Sequence, residues 1–313
     1  MTSSPQRIQI FVKSLAILQI AVLFLSCGFS FTLFRKHVML KEGVFTTHEA
    51  KYVIKHNSET QPVQLVPNKC VTEKGEAFDE IYRKSGWGTK VKPAEDFYCD
   101  ASWPTKSVRQ KSASGPGSFL GAATTTSLKI IKDTIMKHNI SSIIDIPCGD
   151  VNWIFDSFVT DTIPLYVGLD IVKTVIKVNK SRFSHHKNKL FYVWDASTCV
   201  LPKYQDGMSE EIKSFDLVHV RDVLQHLSLD DGMKYICNIF NSGTKFLITT
   251  TYPKAQNHNI TSGGWYQNNL EKHPFSFPKS IDCTPTHPGT ERDLTCVYDL
   301  SDSWVNDFIS QKC

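Results

Sequence analysis

The chain has 313 residues, of which 21% are charged and 41% are hydrophobic, and its formal net charge is +4. These values allow one large domain, or one domain with appendages, and enough apolar side chains for a sizeable core. They exclude the strongly basic composition of most nucleic-acid-binding domains, so no nucleic-acid partner is expected.

The N-terminal region contains an uncharged apolar run at residues 14–34, which is about the length that a membrane-spanning helix needs. Basic residues flank the run on both sides, so the positive-inside rule does not decide its orientation. We interpret residues 1–36 as a cytosolic tail and a signal-anchor transmembrane helix. A cleaved signal peptide, which would give a secreted protein, and a buried helix are the alternatives. The mixed polar stretch 37–75 is predicted to be a stem or linker.

Cysteines and glycosylation sequons favour a secretory compartment for the rest of the chain. There are nine cysteines, and N-x-S/T sequons occur at Asn139, Asn179 and Asn259, although sequons alone are weak indicators. We therefore predict a single-pass type II membrane glycoprotein whose domain, residues 76–313, faces the lumen of the Golgi or the endoplasmic reticulum. The cysteine pairing cannot be read from their positions in the sequence.

The first predicted elements of this domain precede its apolar strands. A short helix is predicted over residues 78–83, ending in a glycine-containing turn. Residues 112–118 are rich in Ser and Gly, and this stretch is either a flexible linker or a lid over a ligand. A longer helix is predicted over residues 124–138, with apolar side chains on one face.

Five apolar runs with strand character follow, separated by helical or loop material. The strands are predicted at 142–146, 165–170, 190–195, 215–220 and 245–250, and helices between them at 151–159, 172–183 and 230–240. This alternation favours parallel βαβ units in a twisted sheet with helices on both faces. Right-handed crossovers then bring the carboxyl ends of these strands to one edge.

Acidic residues mark the carboxyl ends of four predicted strands, at Asp145, Asp170, Asp195 and Asp222. One acidic strand end is ordinary helix capping, but four at one edge indicate a ligand site. The turn 145–150, Asp-Ile-Pro-Cys-Gly-Asp, lacks the G-x-G-x-x-G fingerprint that cradles a dinucleotide pyrophosphate. A carboxylate-rich turn instead suits a ligand with hydroxyl groups and a positive charge.

Four motifs occur in order: Ser-Gly-Pro-Gly-Ser at 114–118, Asp-Ile-Pro-Cys-Gly-Asp-Val-Asn-Trp at 145–153, Arg-Asp-Val-Leu-Gln-His-Leu at 221–227 and Thr-Thr-Thr-Tyr-Pro at 249–253. From about residue 78 onward, the chain thereby resembles the class I S-adenosylmethionine-dependent methyltransferases, in a little-characterised branch with this wording. The resemblance implies an α/β, Rossmann-like seven-stranded methyltransferase sheet, mostly parallel, with an antiparallel last strand.

Further structural expectations follow from this resemblance. The last strand would be residues 294–299, and its neighbour would be residues 280–283. Cys283 and Cys296 could then face each other as a disulfide, and the strand geometry would decide whether they do.

The resemblance also implies S-adenosyl-L-methionine as the cofactor and assigns its contacts. Asp170 would accept hydrogen bonds from both ribose hydroxyls, and Asp195 from the adenine amino group, with Ala196 as a backbone donor. The other residues implied to contact the cofactor lie in the central turn, at the ends of neighbouring strands and in the Ser-Gly loop: Asp145, Pro147, Cys148, Gly149, Asp150, Trp153, Ile171, Arg221, Ser114, Gly115 and Ser118.

Methyl transfer to a hydroxyl requires a positioned acceptor and a general base. His226 and Asp222 follow the fourth strand and are the predicted catalytic residues; local packing of His226 and helix capping by Asp222 are the alternatives. The insert 252–277 is rich in aromatic and amide side chains, so it is either an acceptor site or a packed loop. The predicted acceptor-binding residues are Tyr252, Trp265, Tyr266 and Asn269.

These features together predict O-methylation of a small-molecule or glycan hydroxyl, on a domain that the N-terminal helix attaches to the membrane. A non-catalytic scaffold on a methyltransferase fold is an alternative, but a relic would not need to keep Asp145, Gly149, Asp170 and Asp195 together. A nicotinamide-dependent oxidoreductase is disfavoured by the missing fingerprint. No His/Cys cluster has the spacing of a metal site, so no metal is expected.

Overall fold

The computed structural model describes residues 61–84, 86, 112–115, 117–118, 121–154, 163–207, 210–287 and 289–313. In these ranges, no helix is both long enough and apolar enough to cross a membrane. The predicted membrane anchor at residues 14–34 lies outside the described residues, as does the predicted stem up to residue 60.

The described chain forms ten strands and five α-helices. The strands are β1 (Gln61–Val66), β2 (Ser142–Asp145), β3 (Leu165–Asp170), β4 (Lys189–Val193), β5 (Lys203–Gly207), β6 (Ile212–Lys213), β7 (Leu217–Val220), β8 (Phe246–Thr251), β9 (Asp282–Pro285) and β10 (Leu294–Asp299). The helices are α1 (Lys74–Arg83), α2 (Ala122–His138), α3 (Lys173–Arg182), α4 (Leu229–Phe240) and α5 (Trp304–Lys312).

Seven of these strands form the central sheet, in the order β4-β3-β2-β7-β8-β10-β9. The five neighbouring strands β4, β3, β2, β7 and β8 are parallel, whereas β10 runs antiparallel to both β8 and β9. The expected seven-stranded α/β sheet with an antiparallel strand at Leu294–Asp299 is therefore confirmed. The strand beside it is Asp282–Pro285, slightly later than the expected 280–283.

Alternating side chains of the central strands supply two separate cores. Ile143 and Leu217 point into a core that includes residues of α2 and α3, while Ile144 and Val218 point into the core beneath α4 and α5. Because both faces of the sheet are covered, the strands read as nearly continuous apolar runs, and this explains why they were visible in the sequence.

The path of the chain through the sheet sets the place of the site. From β2 the chain proceeds outward to β3 and β4, and it then returns to the other side of β2 to form β7 and β8. The strand order therefore reverses between β2 and β7. In open α/β sheets, ligands bind in the crevice outside the carboxyl ends of the strands at such a switch point.

A small antiparallel sheet, β1-β5-β6, was not predicted. β5 is mostly polar and β6 has only two residues, while β1 contributes Leu65 to the core and packs Val63 against it. The disulfide between Cys70 and Cys199 further joins the segment after β1 to the segment after β4. The folded unit thus begins earlier than the predicted boundary at residue 76, because part of the predicted stem belongs to it.

Three disulfides are present in the described chain. Cys283 and Cys296 lie opposite each other on β9 and β10 and are bonded, as the family resemblance implied. The other two, Cys70–Cys199 and Cys237–Cys313, join elements that are distant in sequence, so spacing alone could not have revealed them. Among the described cysteines, Cys148 keeps a free thiol.

The predicted helices agree with the structure to within a few residues, with two differences. The helix predicted at 78–83 begins earlier, at Lys74. In the helix predicted at 151–159, residues 151–154 are not helical, and the remaining residues lie outside the described part of the chain.

Candidate active site

The four predicted aspartates lie at the carboxyl edge of the sheet, as expected. Asp145 and Asp170 end β2 and β3, Asp195 follows β4, and Asp222 follows β7. The first three are each 2% exposed, whereas the side chain of Asp222 is 34% exposed. Their hydrogen-bond partners show that they play different parts.

Asp170 combines burial with unused hydrogen-bonding capacity. Its Oδ2 accepts from the Gly149 amide at 3.0 Å and its Oδ1 accepts from the Val172 amide at 2.9 Å. Burial raises the pKa of this carboxyl to about 6, against the opposing effect of the two amides. Because each carboxylate oxygen can accept twice, the group can hold two further donors, which is what a ribose diol requires.

The turn after β2 approaches its neighbours so closely that it requires glycine. Gly149 has a φ of +54°, and a Cβ at this position would lie 2.4 Å from Ser114 Oγ. Its carbonyl accepts from the Asn179 side-chain amide at 2.7 Å. The turn is therefore held by α3 on one side and by the Ser-Gly loop on the other.

Asp150 fastens the Ser-Gly loop to this turn. Its carboxylate accepts from Ser112 Oγ at 2.9 and 3.0 Å and from the Ala113 amide at 2.8 Å. The Asp150 amide in turn donates to Ser114 Oγ at 3.0 Å, and that hydroxyl also contacts the Tyr82 hydroxyl at 2.9 Å. Residues 112–114 are thus hydrogen-bonded to the turn, which favours the lid interpretation over a flexible linker for them.

Arg221 holds the other end of the same loop. Its Nη1 donates to the Gly117 carbonyl at 2.8 Å, and its guanidinium lies 5.0 Å from the centre of the Trp153 ring. A further contact of 3.4 Å joins Nη2 to Asp222. Within the loop, the Ser118 amide donates to the Gly115 carbonyl at 3.1 Å. Arg221 and Trp153 therefore connect the loop to the ends of β2 and β7.

We expect Gly149→Ala to destabilise the protein by about 3 kcal/mol, since it combines a left-handed backbone with overlap against Ser114. Gly289→Ala is the matched control: it also has a positive φ, of +80°, but nothing lies within 4 Å of the added Cβ. The control should lose only about 1 kcal/mol. Thermal unfolding of both variants measures the difference, and equal losses would contradict a tight turn-loop contact.

Asp145 is occupied within the sheet. Its Oδ2 accepts from the Tyr166 hydroxyl at 2.5 Å, and its Oδ1 lies 2.7 Å from His219 Nδ1. These partners stand on the strands either side of β2, and the His219 ring packs against Trp153 with centroids 5.6 Å apart. The three polar groups join the strands beneath the turn, which accounts for the burial of Asp145 without a ligand.

Asp195 has no acceptor position left for an adenine amino group. Its carboxylate accepts from Thr72 at 2.5 Å, from Thr198 at 2.8 Å, and from the Ser197 hydroxyl and amide at 2.7 and 3.0 Å. A carboxylate has about four acceptor positions, so these donors saturate it. Asp195 thereby anchors the segment after β1, and the predicted adenine contact would have to displace one of these donors. The carbonyl of its neighbour Ala196 accepts from Asn238 at 2.8 Å.

The remaining residues of the central turn and strand ends are mostly packed. Cys148 is buried, and burial raises the pKa of its thiol well above the usual value, so it is neutral and unsuited to nucleophilic chemistry. Ile171 packs beside Tyr82 and Val172, and Pro147 is only partly buried.

His226 has the protonation state of a general base. It ends a 3₁₀ turn, Leu224–His226, and its Nδ1 lies 2.8 Å from the Gly264 carbonyl. A carbonyl only accepts, so Nδ1 carries the proton and Nε2 is the basic atom of the neutral ring. Burial lowers the pKa of His226, while the Gly264 carbonyl and the Asp222 charge oppose the shift. The ring is therefore neutral at physiological pH.

Asp222 adopts a left-handed backbone conformation, with a φ of +54°. Its amide donates to Thr250 Oγ1 at 3.1 Å, and its carboxylate accepts from Gln225 at 3.3 Å. The helix-cap interpretation is wrong, because the N-cap of α4 is Ser228. Strained, partly exposed polar residues of this kind cluster at functional sites.

The insert after β8 divides into an exposed part and a packed part. Trp265 is 51% exposed and its ring meets that of Tyr252 edge-on, with centroids 6.5 Å apart. Tyr266 and Asn269 are each 1% exposed. The Asn269 amide donates to two backbone carbonyls of its own loop, so its predicted acceptor contact is corrected to a structural role. Burial raises the pKa of Tyr266 to about 12, so its hydroxyl is neutral, and its acceptor contact stays a prediction.

Sequence reasoning missed residues that reach the site from α1, α3 and the Ser-Gly loop. Asn179 is fully buried and binds the Gly149 carbonyl. Its position continues the apolar stripe of Val172, Val175 and Ile176, and a polar residue on such a stripe is a detectable sign of a buried contact. Ser112 lies in the Ser-Gly stretch that was predicted as a possible lid, whereas Tyr82 gave no comparable sign.

Comparisons with known proteins are limited to distant structural likeness. No family model and no curated protein matches the chain. The magnesium protoporphyrin IX methyltransferase of Synechocystis PCC 6803, solved with SAM bound, is 13% identical, with a TM-score of 0.45 over 74% of this chain and 100% of that one.

Two further structures match smaller parts of the chain. The methyltransferase domain of bacterial CtHen1 is 17% identical, with a TM-score of 0.34 over 42% of this chain and 67% of its own. An amino pentose methyltransferase from Micromonospora echinaspora, involved in calicheamicin biosynthesis and solved with SAM bound, is 12% identical, with a TM-score of 0.33 over 41% and 50%. Because these identities and TM-scores are low, function has to be inferred from the residues of the site.

Proposed function

We propose that this chain is an S-adenosylmethionine-dependent methyltransferase that acts on a hydroxyl group. The observation that carries the proposal is Asp170: a buried carboxylate at the end of β3, bound to the Gly149 turn that follows β2 at the switch point, with one acceptor position left on each oxygen. Such a group suits the vicinal hydroxyls of a ribose. The missing pyrophosphate cradle of the turn favours a nucleoside cofactor without phosphates.

The residues of the chain have separate tasks in this reaction. Bound S-adenosylmethionine supplies an electrophilic methyl group, so the protein mainly has to orient the acceptor and handle one proton. Asp170 orients the ribose, and the loop fastened by Asp150 and Arg221 excludes water from this edge. His226 Nε2 accepts the proton of the attacking hydroxyl, while the Gly264 carbonyl keeps the ring in the required tautomer.

The acceptor class follows from the aromatic surface beside His226. Trp265 adjoins Gly264, the residue that orients the histidine, and half of its side chain is exposed. An exposed indole next to a general base suits a sugar ring or an aromatic acceptor, because both present an apolar face with polar groups at the edge. We favour a glycan hydroxyl.

Calorimetric titration of the full chain in detergent micelles, with S-adenosylmethionine and separately with NAD, tests the proposal. We expect micromolar binding of the former and none of the latter. Binding of NAD instead would point to an oxidoreductase. If well-folded protein bound neither, the methyltransferase proposal would fail and a membrane-attached scaffold would be the better explanation.

We further propose that the domain works in an oxidising secretory compartment, attached to the membrane through its N-terminal helix in a type II orientation. The three disulfides support this placement, since structural disulfides are rare in reducing compartments. A glycan acceptor is available there.

The sequons at Asn139 and Asn179 should differ in glycosylation, and this difference tests the proposed lumenal placement. Asn139 is exposed after α2, at the edge of the sheet opposite the candidate site, whereas Asn179 is fully buried and bound to Gly149. We expect a glycan on Asn139 and none on Asn179 when the full chain is expressed in insect cells. Peptide mass spectrometry after enzymatic deglycosylation in heavy-oxygen water identifies each modified asparagine.

The Asn139→Gln and Asn179→Gln variants provide the matched comparison. Only the former should shift to higher mobility on a denaturing gel. A folded chain without a glycan on any sequon would contradict the lumenal placement, whereas a glycan on Asn179 would contradict the packing around the turn.

A further inference from the structure

The positive charge of the chain is concentrated in one structural unit. Residues 171–194, which include α3 and β4, contain six Lys and Arg and no Asp or Glu. The remaining residues contain 29 Lys and Arg against 31 Asp and Glu, so they are slightly acidic. The net charge of +4 therefore originates at the edge of the sheet that β4 forms.

A groove of about 600 Å³ lies in this unit. The end of α3, the loop 183–188 and β4 form its walls, and Val63 of β1 closes one side. Lys180, Lys187 and Lys189 are among its lining residues, and no acidic side chain is among the lining residues in the described chain. Lys189 is only 8% exposed, so part of this charge is built into the wall.

Aromatic side chains accompany the cations in the groove. Lys180 Nζ lies 5.1 Å above the Tyr192 ring, and Phe183 stacks on Phe191 with centroids 5.5 Å apart. Both rings of that stack, and Tyr192, line the groove. Cationic groups beside aromatic faces suit a ligand that carries anionic groups on apolar rings.

The groove is separate from the candidate active site. The site lies at the carboxyl ends of the parallel strands, whereas the groove is lined by the C-terminal part of α3, the loop 183–188 and residues 189–192 of the edge strand β4. None of the residues assigned above to the cofactor or acceptor lines it. A ligand held in the groove would therefore add binding energy without taking part in the chemistry.

We propose that this groove binds an acidic glycan, with sulfate or carboxylate groups on the lysines and sugar rings on the aromatic wall. The choice of a glycan over a nucleic acid rests on the lumenal placement proposed above. The observation of a groove lined by lysines and aromatic rings does not depend on that placement. Basic clusters bind polyanions through the summed field of their charges, so the affinity falls with ionic strength. The groove thereby holds the glycan to which the acceptor sugar belongs.

The test is calorimetric titration of the full chain in detergent micelles with a heparin tetrasaccharide, a hyaluronan tetrasaccharide and a short oligothymidine. The first two distinguish sulfate from carboxylate. The groove variant is Lys180→Gln/Lys187→Gln, and the control of equal net charge is Lys234→Gln/Lys254→Gln, whose lysines are exposed and lie outside the groove. Both pairs are at the surface, and thermal unfolding checks that each variant is folded.

We expect at least one of the two saccharides to bind the unmodified protein. Compared with that, its affinity should be about tenfold lower for the groove variant and nearly unchanged for the control variant. Equal losses in both variants would mean that net charge alone drives binding and would overturn the proposal. It would also be overturned if neither saccharide bound, or if oligothymidine bound more tightly with the same dependence on the groove. S-adenosylmethionine binding, measured in the same samples, is expected to be unchanged, which separates this proposal from the proposed function.

Discussion

Asp170→Asn should weaken S-adenosylmethionine binding by about 100-fold, because two hydrogen bonds to a charged acceptor are lost or reduced. Asparagine offers one carbonyl oxygen and an amide that can only donate, so it cannot serve Gly149, Val172 and a diol together. Titration calorimetry with the full chain measures the change. Asp133→Asn, the same substitution at an exposed position on α2, is the control and should bind normally.

The pH dependence of binding gives a second measurement of the same residue. The pKa of Asp170 is raised to about 6 by burial, so the carboxylate that accepts from the ribose is present above pH 6 and is lost as the pH falls through that value. Affinity of the unmodified protein should therefore decline below pH 6, and the Asn variant should lack this decline. Unchanged affinity in Asp170→Asn would show that another group holds the ribose, and the assignment would be withdrawn.

His226→Gln should slow methyl transfer by about 100- to 1000-fold, the contribution that a positioned general base usually makes. Cofactor affinity should not change, since the residue acts on the acceptor proton. The assay follows labelled methyl groups onto a panel of phenyl glycosides, with rates compared on the glycoside that reacts fastest. His258→Gln is the control, because His258 is an exposed histidine of the same insert.

The pH profile separates proton transfer from a packing effect. His226 has a lowered pKa, mainly because of burial, so the rate of the unmodified protein should rise through a value below the usual histidine pKa of about 6.5 and then level off. The Gln variant should lose this rise. A slow variant that retained the rise would mean that another group accepts the proton and that His226 only shapes the site.

The sheet could be predicted because burial on both faces leaves a strong pattern. β3 is a nearly continuous apolar run that ends in a carboxylate, β7 is mostly apolar with Asp222 two residues beyond its end, and the order of the strands in the chain fixes the common edge. The antiparallel β10 and the Cys283–Cys296 disulfide came from family resemblance, not from this pattern. The small sheet of β1, β5 and β6 could not be predicted, since β5 is mostly polar, β6 has only two residues, and β1 pairs with β5 across a long sequence separation.

The site was predictable in position but less so in the role of each residue. Motif spacing placed Asp145, Asp170 and Asp195 at one edge, yet only their partners show which of them retains the capacity to bind a ligand. Thr72 saturates Asp195 from a segment that was predicted to be a linker. Local sequence contains no information on such long-range contacts, and for this reason all three carboxylates were expected to contact the cofactor.

The burial of Cys148 also affects whether the disulfides can rearrange by exchange with a free thiol. Exchange between a thiol and a disulfide begins with attack by the thiolate, and burial keeps the Cys148 thiol protonated and out of reach. The protein can therefore keep an unpaired sulfur in its central turn beside three disulfides without internal scrambling. Among the described cysteines, the packing of Cys148 therefore withholds the one free thiol that could begin such exchange.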